Sequence, residues 1–210
     1  MAKQGLLITV EGVEGAGKTS NLPYIAECLA QQFECDVLQT REPGGTEVGE
    51  AIRAILISNE LPAMNHDTEL LLMFAARSEH LDKVILPALA QGKIVLCDRF
   101  TDASFAYQGA GRGLGLERIA TMESFVQGTF RPDYTLLFDV DADTGLARAK
   151  GCGEADRFEH EAIDFFNRVR QQYLAMSVEQ AKRYKVIDAS VSLEAVQQQI
   201  LATIKGLGRA

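Results

Sequence analysis

An apolar run at 6–10, "LLITV", leads into Gly12-Val13-Glu14-Gly15-Ala16-Gly17-Lys18-Thr19, which fits G-x-x-x-x-G-K-[ST] in full. No other feature limits the fold as much, because this motif works only between a strand and a helix. Its glycines let backbone N–H groups turn inward, and the following helix N-terminus adds partial positive charge. Lys18 reaches the outer phosphates of a nucleoside triphosphate, and the Thr19 hydroxyl suits Mg²⁺. Two acids, Glu11 and Glu14, share this stretch although its ligand is an anion. Side chains at the variable positions need not face the phosphates, so an acid there is free to point elsewhere.

The rest of the chain agrees with that junction. Short apolar runs at 6–10, 36–40, 94–97, 135–140 and 185–187 alternate with amphipathic patterns. Those helical patterns cover 18–32, 47–57, 67–91, 116–127, 144–150, 162–183 and 193–204. The alternation predicts an α/β fold of three layers, a parallel sheet with helices on both faces. Ligands of such sheets bind beyond the carboxyl ends of the strands, where Glu11, Arg41, Asp98 and Asp139 fall. The 210 residues suit one domain, 1–210, and the net charge of −8 argues against a general nucleic-acid binder. No apolar run is long enough to span a bilayer, and residues 1–4 do not read as a signal peptide. Four scattered cysteines without CxxC or paired histidines read as reduced cytosolic thiols.

A triphosphate cradle serves switches, motors and small-molecule kinases alike. The guanine-reading N/T-K-x-D and a D-x-x-G switch are absent, and motors usually need more chain for coupling elements. A kinase that places a second phosphate acceptor in line with the γ-phosphate remains. "TREPGGT" (40–46) leaves the second strand through a tight loop, with Arg41 either at the crevice or simply solvated on a turn. "CDRFTDASFAYQGAGR" (97–112) starts at a buried strand end, where Asp98 and Arg99 are either a structural pair or ligands for Mg²⁺ and phosphate. In "LLLMFAARSEHL" (70–81), Leu70, Phe74, Arg77 and Leu81 form one stripe. Arg77 there either snorkels to water or hydrogen-bonds a base stacked on an aromatic ring. "LARAKGCGEADRFEHE" (146–161) carries Arg148, Lys150 and Arg157 around glycines, either as a charged loop or as a lid at about 148–158 that excludes water.

In this order and spacing, "GVEGAGKT", "TREPGGT", "DRFTDASFAYQGAGR" and "ADRFE" resemble the thymidylate kinase (dTMP kinase) family, its bacterial branch in particular. The resemblance spans essentially the whole chain. It implies a P-loop kinase fold with a five-stranded parallel sheet, the reaction ATP + dTMP ⇌ ADP + dTDP with Mg²⁺, and a cytoplasmic homodimer. Position by position, it gives Glu14 to the acceptor's 3′-hydroxyl, Arg41 and Arg99 to its phosphate or to substrate positioning, and Arg77 to the thymine edge. Ser104, Tyr107 and Gln108 fall in the segment lining base and sugar, with Tyr107 filling the space of a ribose 2′-hydroxyl. Asp98 and Thr19 would hold Mg²⁺, and the lid bases would stabilise charge on the γ-phosphoryl group.

Two positions depart from the family pattern. The stacking aromatic usually stands four residues before the reading arginine, where this chain has Met73; Phe74, three before, is the expected substitute. Members with glycine at Gly15 place arginines in the lid, and here one of them is Cys152, leaving Arg148, Lys150 or Arg157 to supply the charge. Glu11 is read as structural or as a distant partner of a Mg²⁺-bound water. Another acceptor (dUMP, dCMP or a deoxynucleoside) and a nucleotide-binding regulator without turnover are the alternatives to a dTMP kinase.

Overall fold

The computed structural model describes residues 5–150, 157–158 and 161–208. Five strands, β1 (Leu6–Glu11), β2 (Val37–Arg41), β3 (Ile94–Asp98), β4 (Tyr134–Asp139) and β5 (Tyr184–Asp188), form one sheet in the order β2-β3-β1-β4-β5. Every pairing is parallel. β1 is buried along its whole length and β3 along all but its last residue, as their apolar sequences require at the centre of a sheet covered on both sides. Alternation then divides the core. Leu6, Ile8, Val10, Ile94 and Leu96 face one layer of helices, while Leu7, Val95 and Cys97 face the other.

The covering helices are α1 (Lys18–Phe33), α2 (Glu47–Ile57), α3 (His66–His80), α4 (Leu86–Ala90), α5 (Thr101–Ser104), α6 (Leu116–Gln127), α7 (Ala142–Ala149), α8 (Ile163–Glu179) and α9 (Leu193–Lys205). Several start on side-chain caps that the sequence supplies. Thr46 accepts from Gly49 N, Asn65 from Asp67 N, Asp141 from Thr144 N and Ser192 from Ala195 N. Among the described residues no helix is long and apolar enough to cross a membrane.

Three stretches differ from the periodicity. The helix expected at 67–91 is α3, then a π-helical stretch Leu81–Ile85, then α4. Pro87 has no N–H for the carbonyl four residues back, and the widened turn just before it absorbs that loss. Residues 101–111, assigned no element from the sequence, form α5 and a second π-helical stretch, Phe105–Gly111. Their glycines obscure the helical pattern, and burial of Ala106, Tyr107 and Gln108 stabilises it instead. The helix expected at 162–183 is α8, which ends at Glu179.

Chain direction determines where ligands have room. The segment after β1 runs toward β2, while the segment after β3 crosses to β4 on the other side of β1. The loops leaving β1 and β3 therefore diverge above the sheet. Register brings Val10, Asp98 and Arg41 into one row at that edge. The phosphate loop is also docked on α7. A Cβ on Gly15, whose φ is +68°, would lie 1.8 Å from Gly145 O, and one on Gly145 would lie 2.6 Å from Glu14 O. Loop and helix thus meet backbone to backbone, which puts Arg148 of α7 beside the cradle. Most of the expected lid, including Cys152, lies outside the described residues.

Candidate active site

A cleft of about 650 Å³ opens across the carboxyl ends of β1 and β3. The glycine loop and the start of α1 form one half of it. Lys18 is buried there, its Nζ donating to Gly12 O at 2.9 Å and Val13 O at 2.8 Å. Burial, and then the charge of Arg99, pull its ammonium down to about 8 against the opposing carboxylates of Asp98, Glu14 and Glu11. Thr19 is exposed on the same wall, and Asp98 lines the cleft from the end of β3. The Oδ1 atom of Asp98 is buried and has no partner among the described residues. Because buried polar atoms are normally satisfied, such an atom beside a cradle for phosphates fits a cation site shared with them.

Arg99 joins the two halves. It adopts φ +66°, a left-handed conformation uncommon outside glycine, and this turns its side chain back over the phosphate loop. Nη1 donates to Gly12 O at 3.0 Å and Nη2 to Glu14 Oε1 at 2.9 Å, with the guanidinium 4.8 Å above the Tyr107 ring centre. The other Glu14 oxygen accepts from Tyr107 Oη at 2.7 Å. Burial pushes the Tyr107 phenol well up, so it stays a neutral donor. The strained turn is held from below. Arg99 N donates to Val10 O at 3.0 Å, and Phe100 N donates to Glu11 Oε1 at 2.7 Å. Glu11 Oε2 accepts from Tyr173 Oη of α8 at 2.7 Å. Glu11 is fully buried and, unlike Glu14, does not line the cleft, which favours its structural reading over a partnership with metal-bound water.

The second half of the cleft lies over the loop after β2. Arg41 extends into it, half-exposed, with Nη2 2.9 Å from Glu50 Oε2. Arg53 of α2 also lines the cleft and donates to Pro43 O at 3.1 Å. At the far end Arg77 is 2% exposed. Its Nε donates to Glu42 Oε2 at 2.7 Å, and Nη2 donates to Phe100 O and Ser104 Oγ, both at 3.1 Å. Nη1 is buried without a partner among the described residues. Phe74 does not face the cleft. It is 1% exposed, with its ring centre 4.5 Å from the Arg77 guanidinium, and Met73 lines the cleft in its place. Of the two side chains flanking Arg77, the aromatic one went to the core between α3 and α6.

The basic residues of the expected lid are dispersed. Arg148 lines the cleft, and its Nη1 donates to Ala189 O at 2.7 Å. Lys150 is exposed at the end of α7. Arg157 reaches away, donating to Leu56 O at 2.9 Å and to Glu69 Oε2 at 2.7 Å. Glu69, fully buried, also accepts from Gln108 at 2.8 Å and Arg112 at 3.3 Å. Burial pushes its carboxyl up, but Gln108, Arg112 and Arg157 outweigh that and hold it below the usual range. Asp139, at the end of β4, is taken up by a bidentate pair with Arg170 at 2.7 and 2.9 Å. Sequence reasoning missed Glu42, Arg53, Glu69, His80 and Tyr173. Only Glu42 carried a signal, a carboxylate fixed inside the same loop motif as Arg41.

A cleft with a cradle for phosphates at one end and arginines around a separate compartment at the other belongs to a P-loop phosphotransferase that holds two substrates. The family profile described as thymidylate kinase matches residues 10–200. The thymidylate kinase of Pseudomonas entomophila (strain L48) is 57% identical over 203 residues, covering 97% of this chain and 96% of that protein. That of Pseudomonas putida (strain GB-1) is 55% identical over 97% of this chain and 96% of its own length. The crystal structure of thymidylate kinase from Ehrlichia chaffeensis superposes with a TM-score of 0.77 at 31% identity, covering 96% of this chain and 99% of that one. The chain belongs to the thymidylate kinase family.

The Glu11 clamp has a consequence for stability. Burial, and then the charge of Asp102, push the Glu11 carboxyl up to about 8 from its ordinary 4.5. Between those values the folded chain keeps a proton that the unfolded chain has released, so stability falls as pH rises through this window. Glu11→Gln keeps an acceptor for Phe100 N and a group for Tyr173 without titrating. Its stability relative to the parent should therefore climb between pH 5 and pH 8, by about 1 kcal/mol per pH unit, in denaturant melts. A difference that stays constant with pH would contradict the clamp's protonation.

Proposed function

We propose that the protein transfers the γ-phosphoryl group of ATP to dTMP, giving ADP and dTDP. One observation carries the choice of acceptor. Beyond the phosphate cradle the cleft continues into an arginine-lined compartment that ends at Arg77, whose Nη1 is a buried donor with no protein acceptor among the described residues. A guanidinium only donates, so it favours a base with a 4-oxo group over one with a 4-amino group.

The roles follow from placement. Backbone N–H groups of Gly12, Val13, Glu14, Gly15, Ala16 and Gly17, with Lys18, hold the ATP phosphates, which outcompete the neutral carbonyls Lys18 now touches. Arg41 and Arg99 hold the acceptor phosphate, with Arg53 beside them. That phosphate is already ionised, so no general base is needed. Its oxygen forms a bond to the γ-phosphorus, the bond to the bridging oxygen breaks, and ADP leaves with the electron pair. Glu14 accepts from the sugar 3′-hydroxyl, and Tyr107, fixed against Glu14 at 2.7 Å, occupies the space of a ribose 2′-hydroxyl. Ser104 and Gln108 complete the base and sugar wall, and Met73 takes the place beside the base that was expected for Phe74. Its polarizable thioether suits contact with a ring.

Asp98 and Thr19 fit Mg²⁺, the former through its unpartnered Oδ1. Bound there, the ion would neutralise charge on the β- and γ-phosphates. We read the whole chain as one kinase domain with a lid at about 148–158. Of its basic residues Arg148 is best placed to act on the γ-phosphoryl group, since it already lines the cleft; Lys150 lies one turn-end further on. Arg157 would first have to leave Glu69 and Leu56 O. We also infer a homodimer in the cytoplasm. Exposed Val48 and Ile55 on α2, Leu71 on α3 and Phe125 on α6 support the first, and the free thiols of Cys28 and Cys97 suit a reducing compartment.

ADP release measured with a panel of monophosphates tests the reaction. Turnover should be strong with dTMP and much weaker with dCMP. Equal turnover with dCMP would overturn the base assignment, and ATP binding without acceptor-stimulated turnover would favour a regulator. Sedimentation should give twice the 23.0 kDa chain mass, and a species at the chain mass would remove the dimer.

A further inference from the structure

Behind Arg77 lies a polar cluster that touches neither the cradle nor the expected lid. Glu42 is 4% exposed and His80 fully buried, on the loop after β2 and the last turn of α3. Glu42 accepts from Arg77 Nε at 2.7 Å on one oxygen, and its other oxygen lies 3.0 Å from His80 Nδ1. His80 Nε2 is 2.7 Å from Thr40 Oγ1 at the end of β2. The imidazole is also packed under the loop, since a Cβ on Gly45 would lie 2.5 Å from its Nε2. Thr40, His80, Glu42 and Arg77 thus form one chain of hydrogen bonds from the sheet to the guanidinium.

We propose that His80 is a positioning residue for recognition of the acceptor base. It acts through Glu42, which sets the plane of the Arg77 guanidinium where that residue closes the end of the cleft. Two separate observations meet here. Arg77 is fixed on three sides, by Glu42, by Phe100 O with Ser104 Oγ, and by the Phe74 ring, so among the described residues only Nη1 is left to donate. Glu42 in turn has only one other side-chain anchor among the described residues, His80. A carboxylate can only accept, so Nδ1 donates to it and the ring orientation is settled by Thr40 at the opposite nitrogen. Free of that anchor, Glu42 can rotate, and Arg77 loses the fixed direction that separates a 4-oxo from a 4-amino pyrimidine. The inference rests on the dTMP kinase reading of the cleft and adds to it a residue that touches no substrate.

Two substitutions separate this role from simple core packing. An Asn side chain holds its amide nitrogen where His holds Nδ1, and a Gln side chain holds its amide where His holds Nε2. His80→Asn therefore keeps the donor to Glu42, while His80→Gln keeps the contact with Thr40 and loses Glu42. Steady-state kinetics with dTMP, dCMP and ATP are the readout. His80→Gln should raise KM for dTMP about tenfold, lower the dTMP-to-dCMP ratio of kcat/KM to a similar extent, and leave KM for ATP within about twofold. His80→Asn should sit much nearer the parent on all three. Glu42→Gln, which keeps shape and loses charge, supplies the same comparison if His80→Gln does not fold, and should show the same split. Equal rises in KM for dTMP and ATP, or a KM for dTMP that stays at the parent value, would overturn the proposal. A parent chain that fails to phosphorylate dTMP would instead remove the reading beneath it.

Discussion

The hydrogen-bonded ion pair between Arg99 and Glu14 joins the two halves of this molecule's chemistry. Glu14 belongs to the phosphate loop and Arg99 to the end of β3, 85 residues later, and the sheet alone does not bring their side chains together. What does is the left-handed backbone at Arg99, a conformation that persists only when its surroundings impose it. Val10 O, the Glu11 carboxyl and, behind that, Tyr173 impose it here. The second acid of the phosphate loop thus explains the first. Glu11 holds the turn that delivers Arg99 to Glu14, and Glu14 looks away from the donor phosphates toward the second compartment.

That compartment is organised on a different principle. At the cradle, backbone N–H groups and a helix terminus supply positive potential that needs no side-chain ordering. In the second compartment the donors are arginine side chains held by carboxylates: Arg77 by the buried Glu42, Arg99 by Glu14 and Arg41 by the half-exposed Glu50. Removing one member of a buried pair of this kind costs on the order of 3–5 kcal/mol, because the other is left charged and dry. Such pairs are a demanding way to stabilise a fold but an effective way to hold a long side chain in one orientation. The acceptor end needs orientation most, because a base is recognised by the direction of one hydrogen bond.

The legible parts of this structure are those where one local rule dominates. The glycine loop could be placed from its motif, and the parallel sheet from apolar runs spaced by helices, because both are local patterns with a single physical solution. Arg77 was visible as an arginine inside an apolar stripe. Its partner was not, since nothing local ties Glu42 to a residue 35 positions away. Phe74 and Met73 flank Arg77 equally on an ideal helix, and only packing between α3 and α6 decided which entered the core. The helix at 101–111 escaped notice because burial, rather than propensity, sustains it. Arg157, expected in the lid from its neighbours, is bonded to Leu56 O of α2 and to Glu69 of α3, contacts that no local pattern announces.

On the proposed reading one loop serves two substrates, Lys18 the donor and Glu14 the acceptor. Titration calorimetry of dTMP and of ATP, each alone, against the parent and Glu14→Gln tests it most directly. The amide keeps the size of the side chain and an acceptor oxygen but loses the charge that draws Arg99, Tyr107 and the sugar hydroxyl together. Affinity for dTMP should fall about tenfold while affinity for ATP stays within about twofold. A parallel loss for both nucleotides, or a loss confined to ATP, would contradict the division of labour.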